Sequence, residues 1–469
     1  MLEAGSPRPR WKRPGVRAPG PDAQAQTASP AAGGAGAGPG ARGRLGDSIA
    51  AAPRRQHEVQ PCGGGGGGRN WGPEPPPRQL PHPGCALSAG LKARLEVISL
   101  NLAGNNRLIP VERLTGEDFW ILCKTIKKIR NIESLDVRYN TIGDTGAFYA
   151  AELFQKHPNL RYVNLMFNDI GPEGGELIAN ALFMNETLKN LRMTGNKIEN
   201  KGGMFFASML QMNSSLEMLD LGDCDLGMQS LIAFATVLTQ NKTLKGINLN
   251  RPILYGQQEE STVHLSYMLK ENHCLIELHM CKHDIKNWGF KHLCEALYLN
   301  SSLRYLDVSC NNITRDGMKF LADVLKNNTT LEVIDLSFNR IENAGANYLS
   351  ETLASHNRSL KALSVVSNNI EGEGLVALSQ SMKTNPIFSY IYIWGNKFDE
   401  ATCIAYADLI QTGHLQPDNT DVEPYTVDGR VYLAEVSNGL KKHYYWTPTY
   451  TAAYSHSANI GTTLVSQDQ

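Results

Sequence analysis

An asparagine returns along this chain at a near-constant interval, each time closing the pattern L-x-x-L-x-L-x-x-N. The positions are Asn105, Asn140, Asn168, Asn196, Asn311, Asn339, Asn368 and Asn396, with Cys224, Pro252 and His283 standing in between Asn196 and Asn311. Successive gaps are 35, 28, 28, 28, 28, 31, 28, 28, 29 and 28 residues. A unit of this length cannot bury its own apolar flank, so neighbouring units have to cover one another and stack into a solenoid. The period therefore outweighs the length of 469 residues, which alone would suggest several ordinary domains.

One unit shows how the pattern works. In Leu303-Arg304-Tyr305-Leu306-Asp307-Val308, Leu306 and Val308 alternate and point to one side of a short strand, the core side. Asn311 then turns the chain, and its amide can satisfy backbone groups of adjacent turns. Met318, Leu321, Ala322 and Leu325 follow with helical spacing. Each unit is thus a strand followed by a helix. Eleven such units begin near Val97, Ile132, Leu160, Leu188, Leu216, Leu244, Leu275, Leu303, Leu331, Leu360 and Phe388. The expected fold is an α/β solenoid, a horseshoe with a parallel sheet on the concave face. A glycine stands fourteen positions after the first apolar residue in seven units, at Gly146, Gly174, Gly202, Gly289, Gly317, Gly345 and Gly374. It signals either close backbone approach or a special dihedral where the helix begins. Thr115-Gly116-Glu117-Asp118 reads as a capping box. Pro252 has neither the amide side chain nor a backbone N–H, which predicts a distortion from Arg251 to Glu260.

The repeat occupies residues 89–411. Residues 1–88 hold 18 Gly and 15 Pro and carry 11 Lys/Arg against 5 Asp/Glu. Such a segment buries too little apolar surface to fold and is expected to be disordered. Its basic residues, among them Arg8, Arg10, Lys12, Arg13, Arg17, Arg54 and Arg55, read as a solvated arm. A weak nuclear-import or nucleic-acid contact is the sharper alternative. Residues 412–469 leave the repeat. They open with a hairpin around Asp428-Gly429, continue through the aromatic stretch Leu440 to Tyr450, and end in a segment read as disordered. The aromatic stretch is a candidate lid on the final repeat.

The nine cysteines are scattered, with no C-x-x-C, which fits free thiols in a reducing compartment. The first residues are charged and lack an apolar run, so a secretory signal is not expected. No run of 18 or more apolar residues occurs, so no membrane span is expected. Several N-x-S/T tripeptides, such as Asn185-Glu186-Thr187 and Asn241-Lys242-Thr243, read as the turn leading into the next strand.

The consensus L-x-x-L-x-L-x-x-N-x-I at a 28-residue period resembles the ribonuclease-inhibitor-like class of leucine-rich repeats over about residues 91–411. The segment from Val436 to Tyr450 looks like that of one vertebrate branch of the class. The resemblance implies an intracellular protein, cytoplasmic or nuclear, the nucleolus included, with no assigned chemistry. Its members include ribonuclease inhibitor, the activator of the Ran GTPase and tropomodulin-type actin cappers.

The leading functional expectation is a non-enzymatic scaffold, monomeric and without cofactor, that takes a protein partner on its concave face. The candidate contact residues are Tyr390, Tyr392, Trp394, Phe338, Tyr139 and Phe167, because exposed aromatics on a rigid sheet make binding hot spots. The competing reading is that the C-terminal aromatics cover Tyr390, Tyr392 and Trp394 from within. Asp136, Asp220, Asp307 and Asp335 share one concave position and are candidates for steering a basic partner. One alternative function is stimulation of a small GTPase, with Arg138 or Arg192 as actors. Another is nucleic-acid association through the basic tail. The cluster His273, Cys274, His279, Cys281, His283, His292 and Cys294 has metal-like residue types, but its spacing favours structural roles and no metal is expected. No G-x-S-x-G, H-E-x-x-H or Walker sequence occurs.

Overall fold

A computed structural model describes residues 97–105, 111–256 and 259–443, and the backbone of 463–466. The glycine- and proline-rich stretch 1–88, with its basic residues, and the aromatics Tyr444 to Tyr450 lie outside the described residues.

Eleven strands alternate with eleven helices in the described stack. The strands are β1 (Ile98–Asn101), β2 (Ile132–Asp136), β3 (Tyr162–Asn164), β4 (Asn190–Arg192), β5 (Met218–Asp220), β6 (Gly246–Asn248), β7 (Glu277–His279), β8 (Tyr305–Asp307), β9 (Val333–Asp335), β10 (Ala362–Ser364) and β11 (Tyr390–Tyr392). The helices that follow them are α1 (Gly116–Ile126), α2 (Gly143–Lys156), α3 (Pro172–Leu182), α4 (Glu199–Leu210), α5 (Met228–Leu238), α6 (Glu260–Glu271), α7 (Asn287–Leu299), α8 (Arg315–Leu325), α9 (Glu342–Ser355), α10 (Gly372–Thr384) and α11 (Glu400–Gln411). The strands form one parallel sheet in chain order, each paired with the next. This is the leucine-rich-repeat solenoid that the period predicts.

The register places Leu135, Val163, Leu191 and Leu219 in line, and they continue through Ile247, Leu278, Leu306, Ile334, Leu363 and Ile391. All are buried between sheet and helices. The repeat asparagines run beside this row. Asn311 Nδ2 donates to Met280 O of the preceding unit at 3.0 Å and to Val308 O of its own at 2.9 Å. Its Oδ1 accepts from the N–H groups of His283 and Ile285 at 2.9 and 3.0 Å. Asn140, Asn168, Asn196, Asn339, Asn368 and Asn396 reach the preceding unit in the same way. The substitutes keep part of the bond: Cys224 Sγ donates to Met193 O, and His283 Nε2 reaches Leu249 O at 2.9 Å.

A second ladder runs along the opposite end of the strands. Asn185, Asn213, Asn241, Asn272, Asn300, Asn328, Asn357 and Asn385 each donate Nδ2 to a carbonyl at the end of the preceding helix, at 2.7 to 2.9 Å. Their Oδ1 atoms accept from the N–H groups two and three residues on, which forms the turn into the next strand. His157 takes this place in the second unit, with Nε2 3.0 Å from Ile129 O.

The recurring glycine answers to close approach. These glycines do not have positive φ. A Cβ on Gly317 would stand 2.7 Å from Ile313 Cγ2 and 2.9 Å from Asn287 Oδ1, and on Gly345 2.6 Å from Ile341 Cγ2. The capping box at Thr115 is present: its Oγ1 accepts from the Asp118 N–H, and Asp118 Oδ2 accepts from the Thr115 N–H. Around Pro252 the unit is irregular, with Ile253 and Tyr255 turned to solvent. Asn250 Oδ1 accepts from the Cys281 N–H at 2.7 Å.

Beyond α11 the chain forms the expected hairpin, β12 (Val422–Val427) with β13 (Arg430–Glu435), around Asp428 and Gly429, both at positive φ. Asp421 stands in for a twelfth strand by accepting from the N–H groups of Ile393 and Trp394 at 2.8 and 3.0 Å. Most of the last stretch, read from composition as disordered, lies outside the described residues. Thr463–Ser466 forms β14, antiparallel to β1, and covers the sheet edge left open by the first unit.

Candidate docking surface

Three rows of side chains line the strand side of the solenoid. The first and third residues of each strand face it, and so do the residues just beyond. The expected acidic steering row turns out to be internal. Asp136 and Asp220 are fully buried, Asp307 nearly so, and Asp335 partly. Each of three accepts from the N–H two residues on: Asp136 from Arg138, Asp307 from Ser309 and Asp335 from Ser337, at 2.9 to 3.1 Å. Asp220 does the same toward Gly222 at 3.2 Å and also accepts from Thr194 Oγ1. Asn101, Asn164 and Asn248 make the equivalent bond. The row closes the strand ends as a series of side-chain-capped turns, so its charge is spent inside the fold. The signal was in the sequence: Asp or Asn recurs as the last residue of seven strands, β1, β2, β3, β5, β6, β8 and β9.

The histidine–cysteine cluster is dispersed. His279 is buried between two carboxylates, with Nε2 2.5 Å from Glu277 Oε1 and Nδ1 3.2 Å from Asp307 Oδ2. Burial opposes its charge, but the hydrogen bonds to Asp307 and Glu277 outweigh it and raise its pKa to about 9. Asp335 nearby is pushed up to about 7 by burial and by the Asp307 charge. His283 belongs to the asparagine ladder, and burial lowers its pKa to about 4. No group of three or more His, Cys, Asp or Glu is placed to hold a metal ion among the described residues.

The six aromatics separate into two sets. At the C-terminal end Tyr392 is buried, which corrects the expectation that it is exposed. It packs in a cluster with Tyr305, Val333, Ala362 and the C-terminal Leu440. Tyr390 is half-buried, with the His443 ring edge-on at 4.4 Å. The chain's own C-terminal segment therefore covers this patch through Leu440 and His443, just ahead of the aromatics expected to do so. Trp394 is half-buried against Phe398.

The other set stays on the rim where the strands end. Tyr139, Phe167 and Phe338 each precede a repeat asparagine, and all three have positive φ, 59, 53 and 57°. The same position has positive φ in seven other units too, where it carries Gly195, Asp223, Arg251, Lys282, Cys310, Ser367 and Gly395, so the turn itself sets this backbone. The Tyr139 and Phe167 rings stack at 4.7 Å with planes 6° apart. Gly195 completes the row, since a Cβ there would stand 2.2 Å from the Phe167 ring. Phe338 is 55% exposed. The opposite rim is self-satisfied by charge, as Glu217 pairs with Lys189 and Lys245, and Glu332 with Arg304 and Lys361.

Arg138 and Arg192, the conceivable actors for a GTPase, lie largely buried against Asp136 and Asp220 at 3.5 and 3.2 Å. No described helix is long and apolar enough to cross a membrane.

The Leucine Rich repeat family profile matches residues 128–149, 156–179, 185–207, 299–322, 327–350 and 356–379. Human leucine-rich repeat-containing protein 34 (Homo sapiens) is 83% identical over 368 residues, which cover 78% of this chain and 79% of the relative. The mouse protein of the same name (Mus musculus) is 74% identical over 79% of this chain and 89% of its own length. The chain belongs to the leucine-rich repeat-containing protein 34 family. That is the vertebrate branch which Val436 to Tyr450 resembles. Among solved structures, the leiomodin-1 actin-binding site 2 is similar over 32% of this chain and 86% of its own, at 19% identity and a TM-score of 0.27.

Proposed function

We propose that this family member is a non-enzymatic interaction scaffold that docks a protein partner along the strand-end rim of its concave face. Tyr139, Phe167 and Phe338 are the anchors. The observation behind this reading is where their rings stand. From the second unit on, the turn before the repeat-asparagine position takes a positive φ whatever residue fills it, and in these three units it sets an aromatic ring on the rim, outside the buried core clusters. Phe338 is largely exposed, and Tyr139 and Phe167 stack on each other while partly open to solvent. Aromatic rings held open to solvent on a rigid frame are the side chains that anchor partners. Trp394, half-buried, extends the rim at its far end, whereas Tyr392 belongs to the fold and Tyr390 is covered by His443.

The test compares wild type with a Tyr139→Ala/Phe167→Ala/Phe338→Ala variant in proximity labelling and affinity purification from cells. The reading expects proteins retained by wild type to be lost by the variant, with the melting temperature unchanged. Undiminished recovery of the same proteins would refute the site. Replacing Tyr392 is not a clean test, because removing a buried aromatic costs about 3–5 kcal/mol.

The GTPase reading lacks such support, since both arginines are held by intramolecular carboxylates. A cytoplasmic or nuclear site of action is supported by the free thiols of the seven described cysteines.

A further inference from the structure

The seventh and eighth units bring two thiols together beside the proposed docking rim. Cys281 follows β7 and is partly buried, while Cys310 follows β8 and is exposed. The two stretches run side by side, since the Lys282 N–H donates to Ser309 O at 3.1 Å. Cys281 and Cys310 flank that hydrogen bond, one on each unit, which sets the two residues on adjacent rungs at the same end of the strands. The other described cysteines are placed differently. Cys123, Cys224, Cys294 and Cys403 are buried in the core. Cys274 lies at the opposite end of its strand, in the turn set by Asn272.

The pair is asymmetric. Burial, with Asp307 adding to it, pushes the Cys281 thiol up to about 12, so it stays protonated and is a poor first nucleophile. Cys310 is open to solvent and to small oxidants. An exposed thiol beside a sheltered one is the arrangement of an attacking and a resolving cysteine.

We propose that Cys310 and Cys281 form a peroxide-sensitive dithiol that closes to an inter-unit disulfide. In the first step the Cys310 thiolate attacks a hydroperoxide. An S–O bond forms as the O–O bond breaks, giving a sulfenic acid, and hydrogen peroxide is reduced to water. In the second step Cys281 sulfur attacks the sulfenic sulfur. The S–S bond forms, Cys281 gives up its proton, and the oxygen leaves as a second water. Two thiols supply the two electrons that the peroxide takes. The product ties the seventh unit to the eighth at the rim, next to the irregular sixth unit. Reduction by a small dithiol reverses it.

Full-length protein treated with a slight excess of hydrogen peroxide at neutral pH tests this. Thiol titration should fall by two of the nine cysteines. Non-reducing peptide mass mapping should show Cys281 joined to Cys310, lighter by two hydrogens than the separate peptides. In Cys281→Ser the Cys310 sulfenic acid should persist and be trapped by dimedone. In Cys310→Ser, Cys281 should remain a thiol under the same treatment. Absence of the linked peptide in wild type, equal dimedone trapping in wild type and Cys281→Ser, or peroxide consumption by Cys281 alone would each overturn the proposal. A linkage to any other cysteine would do the same. These outcomes do not depend on whether the rim binds a partner.

Discussion

At the scale of single residues, the buried asparagines show that one side chain can hold two units in register. Asn311 satisfies carbonyls in its own and the preceding unit while accepting two N–H groups. Asn311→Ala would leave these groups buried and unpaired, at about 1–3 kcal/mol for each group not rescued by water. A lower urea midpoint is expected for Asn311→Ala, while Asn105→Ala, at an exposed position, should stay within about 0.5 kcal/mol of wild type. Two neighbouring histidines make opposite pH dependences. His279 has a raised pKa in the folded chain, so its stabilisation is complete below about pH 6.5 and is lost as pH rises toward about 9. His283 has a lowered pKa, so its contribution is complete above about pH 6.5 and is lost as pH falls toward about 4. Urea midpoints across pH 4–9 should therefore lose their alkaline slope in His279→Gln and part of their acid slope in His283→Asn. An unchanged alkaline limb in His279→Gln would contradict the assignment.

At the scale of elements, the helix starts depend on what is missing from glycine. Alanine is the better helix former by about 1 kcal/mol, yet a Cβ at Gly317 would press on Ile313 and Asn287 within 3 Å. Gly317→Ala is expected to destabilise by about 1–3 kcal/mol through overpacking, measured by thermal melting; a rise in melting temperature would show that the neighbouring α7 yields. These elements were largely legible in advance. Strand and helix followed from the period, and the capping box at Thr115 and the Asp428-Gly429 hairpin followed from local turn chemistry. The glycine column was visible, but sequence could not choose between dihedral and contact, because contact involves a residue of the neighbouring helix. The docking surface was harder to read. Tyr392 and Tyr390 occupy adjacent concave positions, and only the return of Leu440 over β8 to β11 separates the buried ring from the half-open one. The acidic row looked like surface charge, since sequence does not show that an aspartate turns back on its own chain.

At the scale of the whole molecule, a stack of this kind is as strong as its weakest interface. Pro252 leaves one rung without the asparagine amide, and the loop after it turns Tyr255 to solvent. Native-state hydrogen exchange should therefore show lower protection around residues 249–256 than in the fourth and eighth units; equal protection would mean that Asn250 and His283 restore the rung in full. The second asparagine ladder has a consequence for where such a chain can mature. Asn185, Asn213, Asn241, Asn300, Asn328 and Asn357 each begin an N-x-S/T tripeptide, and each places its Nδ2 at 2.7 to 2.9 Å from a carbonyl of the preceding unit. That nitrogen is the atom to which oligosaccharyltransferase attaches a glycan, and it does so on chains still being made. A sugar there would occupy the space between two units before they could close. The same six tripeptides can serve as rungs or as acceptors, but not as both, so routing the chain through the endoplasmic reticulum would set its own folding signal against it.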